Sequence, residues 1–205
     1  MPLISKYDYE HFKLYLWDIN ETEKKLKAGV TTNSLKARLS KIKSEEFRKG
    51  ILSVRHLMRE AKIKENDIYY SDYGAPILKS GENISISHSK NFSGLVISNY
   101  KIGIDIESYR KKILNISSKF LNEKEKFAIG RIDMLTLIWT AKESIYKAFG
   151  TPGISFSKQI YIYGLNEKKK KAFGKLEYVN QSKVYEISYI KLGLNFITVA
   201  HEKID

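Results

Sequence analysis

The chain has 205 residues, 42% of them hydrophobic and 29% charged, the balance of a folded domain rather than of disorder. It contains no cysteine, so disulfides and thiolate metal sites are excluded. Lys and Arg number 36 against 23 Asp and Glu, a formal net charge of +13. Such a field attracts nucleic acid, an anionic cofactor, an acidic protein or a membrane surface, without choosing among them. A lysine-heavy composition can also follow from nucleotide bias in a genome. No apolar run approaches the roughly 20 residues of a membrane helix. The N-terminal MPLISKYDYEHFKLY carries charges where a signal peptide needs a long apolar stretch, so a cytoplasmic address is expected.

Residues 11–19 (HFKLYLWDI) set Phe12, Leu14 and Leu16 against Lys13, Tyr15 and Trp17, the period of a strand. Residues 34–61 are helical, as one helix or two, with Leu35, Leu39 and Ile42 and then Ile51, Val54, Leu57 and Met58 near helical spacing. NDIYYSDYGAPIL (66–78) reads as strand and turn, punctuated by Gly74 and Pro76. ENISISHS (82–89) and FSGLVISN (92–99) are strands joined by a tight turn at Lys90 and Asn91.

KIGIDIE (101–107) is a strand, and 113–120 a helical segment. Asn122 caps the acidic first turn of a further helix, EKEKFAI. Residues 134–149 form the longest helix, closed by Gly150 with Pro152 just after. QIYIYGL, KLEYV, KVYEISYI and FITVAHE are strands between polar turns. Each half supplies helices followed by β-hairpins. That predicts an α+β fold of two similar lobes, residues 1–99 and 100–205.

Asp105 and Glu107 leave one face of their strand, with Cα atoms about 6.6 Å apart by strand rise. Like charges at this spacing are a small cost. A hard divalent ion such as Mg²⁺ reverses the sign, because it needs few carboxylates and takes phosphate and water oxygens for the rest. The plain alternative is a solvated strand end. Glu143 and Lys147 lie one helical turn apart in WTAKESIYKAFG (139–150). In the plain reading they form an exposed ion pair worth about 0.3–0.5 kcal/mol. His88 sits between Ser87 and Ser89, whose hydroxyls suit a phosphate. His11, His56 and His201 are read as structural.

YGAPIL (73–78), SISHS (85–89), IGIDIE (102–107), FLNEKE (120–125) and WTAKESIYKAFG, in this order, resemble the Sfp-type 4′-phosphopantetheinyl transferases. That family's pattern is a G-x-P turn, an SHS strand end, G-[IV]-D-[IV]-E, a phenylalanine before an acidic helix start, and W-[ST]-x-K-E-[SA]-x-x-K. Arg48, Arg55 and Arg59 resemble the family's arginines around the first long helix. The last fifty-odd residues match only in coarse strand pattern.

The resemblance implies a pseudo-dimer of two α+β lobes, and hence a monomer. It implies transfer of 4′-phosphopantetheine from coenzyme A to a serine of an apo acyl, peptidyl or aryl carrier protein, releasing 3′,5′-ADP. Mg²⁺, or Mn²⁺ in its place, is expected on Asp105, Glu107 and Glu143. Glu143 is the expected base, Lys147 supports the leaving phosphate, and His88 binds a cofactor phosphate. Ser87, Gly74, Arg48 and Lys147 are expected along the cofactor; no nucleic-acid or membrane partner is implied. Ala75 departs from the pattern, since the family usually has lysine there. Arg38, Lys41, Arg48 or Lys79 could replace that contact.

Two other readings compete. A metal-dependent nuclease could use the same residue types, with the positive charge drawing in DNA. Restriction-type nucleases, however, place acid and lysine two apart on one strand, and here that slot holds Glu107. A nucleic-acid-binding module could use KKKK (168–171) and nearby tyrosines. That run reads as a solvated hairpin tip, and the aromatics do not follow an RNP-type pattern.

Overall fold

The computed structural model describes residues 3–203, with side chains from Ser5 onward. Met1, Pro2, Ile204 and Asp205, at the outer ends of the two expected lobes, lie outside the described residues. The first half runs β1 (Leu3–Asp8), β2 (Lys13–Asp18), α1 (Glu23–Lys27), α2 (Asn33–Leu39), α3 (Glu45–Glu60), β3 (Ile68–Tyr70), β4 (Pro76–Leu78), β5 (Asn83–His88) and β6 (Phe92–Ser98). The second runs β7 (Ile102–Ser108), α4 (Lys112–Phe120), α5 (Ile132–Phe149), α6 (Phe156–Gln159), β8 (Ile160–Asn166), β9 (Lys171–Tyr178), β10 (Gln181–Leu192) and β11 (Asn195–Glu202). The fold is α+β, as expected. β1 is an addition: its segment LISKYD carries no clean strand period, and it pairs with β2. The helix expected after Asn122 is a 3₁₀ segment, Glu123–Ala128, although Asn122 and Glu125 do form its capping box.

Two antiparallel sheets, ordered β1-β2-β6-β5 and β7-β11-β10-β9-β8, carry most of the structure, with β3-β4 as a separate hairpin. In each large sheet the strand before the long helix pairs with the last strand after it, β2 with β6 and β7 with β11. The simple inside–outside alternation read for residues 11–19 fails, because both faces of β2 are covered. Tyr15 and Trp17 pack in the cluster that holds Leu52 and Leu57 of α3. Leu14 and Leu16 join Val96, Ile104, Ile106, Ile197 and Val199 in an apolar layer shared by both sheets. Each such side chain contributes about 1.5–3 kcal/mol on burial. No described helix is long and apolar enough to cross a membrane.

In the second half, Leu135, Ile138 and Ile145 of α5 pack on Ile160, Leu176 and Ile187 of the sheet. Gly150, at φ 74°, closes α5 as a left-handed cap. The helix lies directly against β7 because Gly103 has no side chain. A Cβ there would stand 2.0 Å from the Ser144 carbonyl oxygen and 2.6 Å from the Ala148 nitrogen, both backbone atoms that cannot swing aside. Gly103→Ala is therefore expected to lower the unfolding free energy by about 1–3 kcal/mol. A urea midpoint equal to wild type would show that α5 can retreat from β7 without penalty.

Candidate active site

Strand alternation sends Ile102, Ile104 and Ile106 into the shared apolar layer, and Gly103, Asp105 and Glu107 toward α5. The tight seat at Gly103 carries Lys147 over β7. Its Nζ donates to Asp105 Oδ1 at 2.8 Å, to the Ile104 carbonyl at 3.0 Å and to Ser87 Oγ at 3.3 Å. Ser87, on β5, donates its hydroxyl to the same Asp105 oxygen at 3.0 Å. Ser85, two residues earlier, accepts the Ile104 N–H at 3.1 Å. Ser85 and Ser87 of SISHS thus face the edge of β7 and join the two sheets there. Lys147 answers to Asp105 across this seam, which replaces the exposed pair with Glu143 that helical spacing alone suggests.

Asp105 is buried, and its second oxygen, Oδ2, has no hydrogen-bond partner among the described residues. The Glu143 carboxyl is pushed up to about 7, first by burial and then by Asp105, with Glu107 adding and Lys147 opposing. Glu107 is also raised, by burial and by Asp105, while Arg110, the Trp139 indole and Lys147 pull the other way. Trp139 is steadied by Phe120 and Phe156, at ring separations of 5.2 and 5.5 Å. Among the described residues no three acidic or histidine side chains form a closed metal cage. The donors are nonetheless hard oxygens, one of them buried without a partner, on acids that disfavour each other's ionisation. That fits an ion which uses one or two carboxylates and completes its shell with phosphate and water, as Mg²⁺ does.

His88 points to the other side of β5, toward α3. Its ring meets Phe47 edge-on at 4.9 Å, and a Cβ on Gly50 would lie 2.4 Å from its Nδ1. Burial, then Lys147 and Arg38, hold its pKa below the usual value, so the ring is neutral at neutral pH. Arg48 is committed elsewhere: it forks onto Glu23 at 2.8–3.1 Å and donates to the carbonyls of Ile42 and Lys43. Glu23 is accordingly held down at about 2 by Arg48 and Lys27. Arg48 thus braces α1 against α3. Lys147 and then Arg38 are the cations whose charge is felt at His88.

Beside Lys147 opens a cleft of about 910 Å³, walled by the β3–β4 hairpin on one side and the end of α5 on the other. Gly74, Ala75, Lys79, Lys101, Tyr146 and Lys147 all line it. Three lysines, Lys79, Lys101 and Lys147, thus share the lining with Ala75. Asp105, Glu107, Glu143, Ser87 and His88 do not line it.

Titration of Glu143 has a consequence for stability. Its folded pKa is raised above its unfolded value near 4.5, so its contribution is fully present below that value and is lost as pH rises through about 7. The change is on the order of 3 kcal/mol at most. In the presence of chelator, wild type should be less stable to urea at pH 8 than at pH 5, and Glu143→Gln should flatten the difference. Equal slopes for the two proteins would contradict the raised value.

One pair escaped the sequence reading. Lys142, next to Glu143, is fully buried; its Nζ donates to Glu125 Oε2 at 2.6 Å and to the carbonyls of Phe120, Ile160 and Phe156 at 2.7, 2.7 and 3.1 Å. Burial pushes its pKa down to about 8 against the pull of Glu125. A signal was available, since Lys142 falls on the apolar stripe of Leu135, Ile138 and Ile145.

Comparison with known proteins points to one family. Residues 101–185 match the 4′-phosphopantetheinyl transferase superfamily. The chain is 30% identical over 108 residues to the 4′-phosphopantetheinyl transferase gsp of Aneurinibacillus migulanus, a stretch covering 49% of this chain and 46% of that protein. The match thus spans under half the length of that curated relative. The matched segment contains β7, the Trp139–Lys147 motif of α5 and the buried Lys142–Glu125 pair, so the similarity falls on the part of the chain that carries the acids and the lysine.

Proposed function

We propose that this protein moves the 4′-phosphopantetheine arm of coenzyme A onto a serine hydroxyl of an apo carrier protein. It acts in the cytoplasm as a monomer whose lobes are residues 1–99 and 100–205. The observation that carries the proposal is the seam of Ser87, Asp105 and Lys147, with Glu107 and Glu143 beside it, next to a cleft of cofactor size.

The serine oxygen bonds to the phosphorus that bears the pantetheine arm, and the bond from that phosphorus to the bridging oxygen breaks. The serine proton passes to the Glu143 carboxylate, whose affinity for a proton is raised by burial and by Asp105. The bridging oxygen leaves on 3′,5′-ADP, its charge countered by the Lys147 ammonium. His88, neutral, offers a single ring N–H to a cofactor phosphate. Ser87 fixes one oxygen of Asp105 and leaves the other for a cation. Mg²⁺ held by Asp105, Glu107 and Glu143 would supply positive charge against the pyrophosphate. The cleft lysines, Lys79 and Lys101, offset the missing cation at Ala75.

The test is incubation with coenzyme A, Mg²⁺ and a panel of apo carrier proteins, read by intact mass. One added phosphopantetheine on at least one carrier is expected. No mass change on any fatty-acid, polyketide or peptide carrier would overturn the proposal.

A further inference from the structure

The second sheet ends well away from the acids. Four strand spacings of about 4.8 Å put β8 roughly 19 Å from β7. Between β8, the 3₁₀ segment and the start of α5 lies another groove, of about 410 Å³. Phe127, Met134, Tyr161 and Tyr163 form its apolar walls, and its charged lining residues are both cations, Lys124 and Arg131. Phe127 is 51% exposed, Tyr163 39%, and Ile129 just beyond Phe127 is 61% exposed. Clustered apolar exposure of this kind marks contact surfaces, whereas single exposed residues do not. Lys124 rests 4.2 Å from the centre of the Tyr161 ring. Arg131 reaches Asp133 only at 3.8 Å, across solvent.

The mode of binding follows from the backbone. The Ile162 N–H is taken by Glu125 Oε1 at 2.6 Å, and the Ile160 carbonyl by Lys142 at 2.7 Å. Further along, the ladder with β9 is irregular and Gly164 turns at φ 60°. This edge is closed to an added strand, so an occupant must be held by side chains. Its chemistry is the complement of the walls: an apolar anchor flanked by carboxylates.

We infer that this groove docks the acidic acceptor protein, taking an apolar side chain between Phe127 and Tyr163 and carboxylates on Lys124 and Arg131. The inference rests on the transfer reaction proposed above. Reach is adequate. Met134 and Glu143 lie about 14 Å apart along α5, and a folded domain of ~80 residues is roughly 30 Å across.

Phe127→Ser and Lys124→Glu, made separately, test it against an apo acyl carrier protein. Each should raise KM for the carrier about tenfold while leaving kcat and coenzyme A affinity unchanged. A short peptide bearing the acceptor serine should be used equally by all three proteins. Carrier binding is also followed by calorimetry, so the groove is judged even if no phosphopantetheine moves. Unchanged carrier affinity in both variants overturns the docking surface and leaves the transfer reaction standing. Absence of transfer by wild type, with carrier binding still sensitive to the two substitutions, overturns the reaction and supports the surface.

Discussion

Glu143→Gln is expected to lower turnover by roughly 10²–10⁴ while coenzyme A still binds in the presence of Mg²⁺. Glutamine keeps the size and one carbonyl oxygen of the side chain but cannot take a proton. Wild-type turnover should fall toward acid as Glu143 takes up a proton, at a pH below the metal-free value of about 7 because Mg²⁺ favours the carboxylate, and this limb should vanish in the variant. Lys147→Ala should also slow turnover, by a different route. It removes a partner of Asp105 Oδ1 as well as the cation proposed to meet the leaving phosphate, so it should weaken cofactor binding too. Turnover against pH, with a separate cofactor affinity, distinguishes the two. Near-normal turnover of Glu143→Gln would remove Glu143 as the base.

The second large effect is on stability. Lys142→Met leaves Glu125 buried and charged, with the N–H groups of Asn122 and Ile162 as its remaining partners. Breaking a buried pair from one side typically destabilises by about 3–5 kcal/mol, and the bulk of a typical domain's stability is only about 5–15 kcal/mol. The midpoint of urea unfolding should therefore fall steeply. Lys142→Met with Glu125→Leu should recover part of the loss, because no charge is then stranded. Recovery should be incomplete, since the two N–H groups lose their acceptor. A loss under about 1 kcal/mol for the single variant would mean that water reaches Glu125.

Much of the architecture could be read from local pattern. The strand at 101–107, the helix ending at Gly150 and the hairpin turn at Lys90–Asn91 each carry a periodicity or a stop signal, and each is found where it was expected. β2 shows where that reading fails. Alternation reports one buried face, and nothing local in HFKLYLWDI says that a second sheet covers the other. The acids Asp105 and Glu107 were legible as a same-face pair because strand geometry requires it. The partner of Lys147 was not, since i,i+4 spacing offers Glu143 whereas Asp105 is 42 residues away. Arg48 has the same lesson in reverse: a cation that looks available in sequence is taken up by Glu23, 25 residues earlier.

The place of β7 has a bearing on how the chain is made. One edge of β7 is completed by Ser85 and Lys147, and the other pairs with β11, the last described strand. While the ribosome is still adding β8 through β10, Asp105 has already been synthesised but the strand that fixes it has not. The sheet that carries the acids is complete only after β11 emerges and slots between β7 and β10. A nascent or stalled chain therefore carries the acids on a strand whose second edge is still bare.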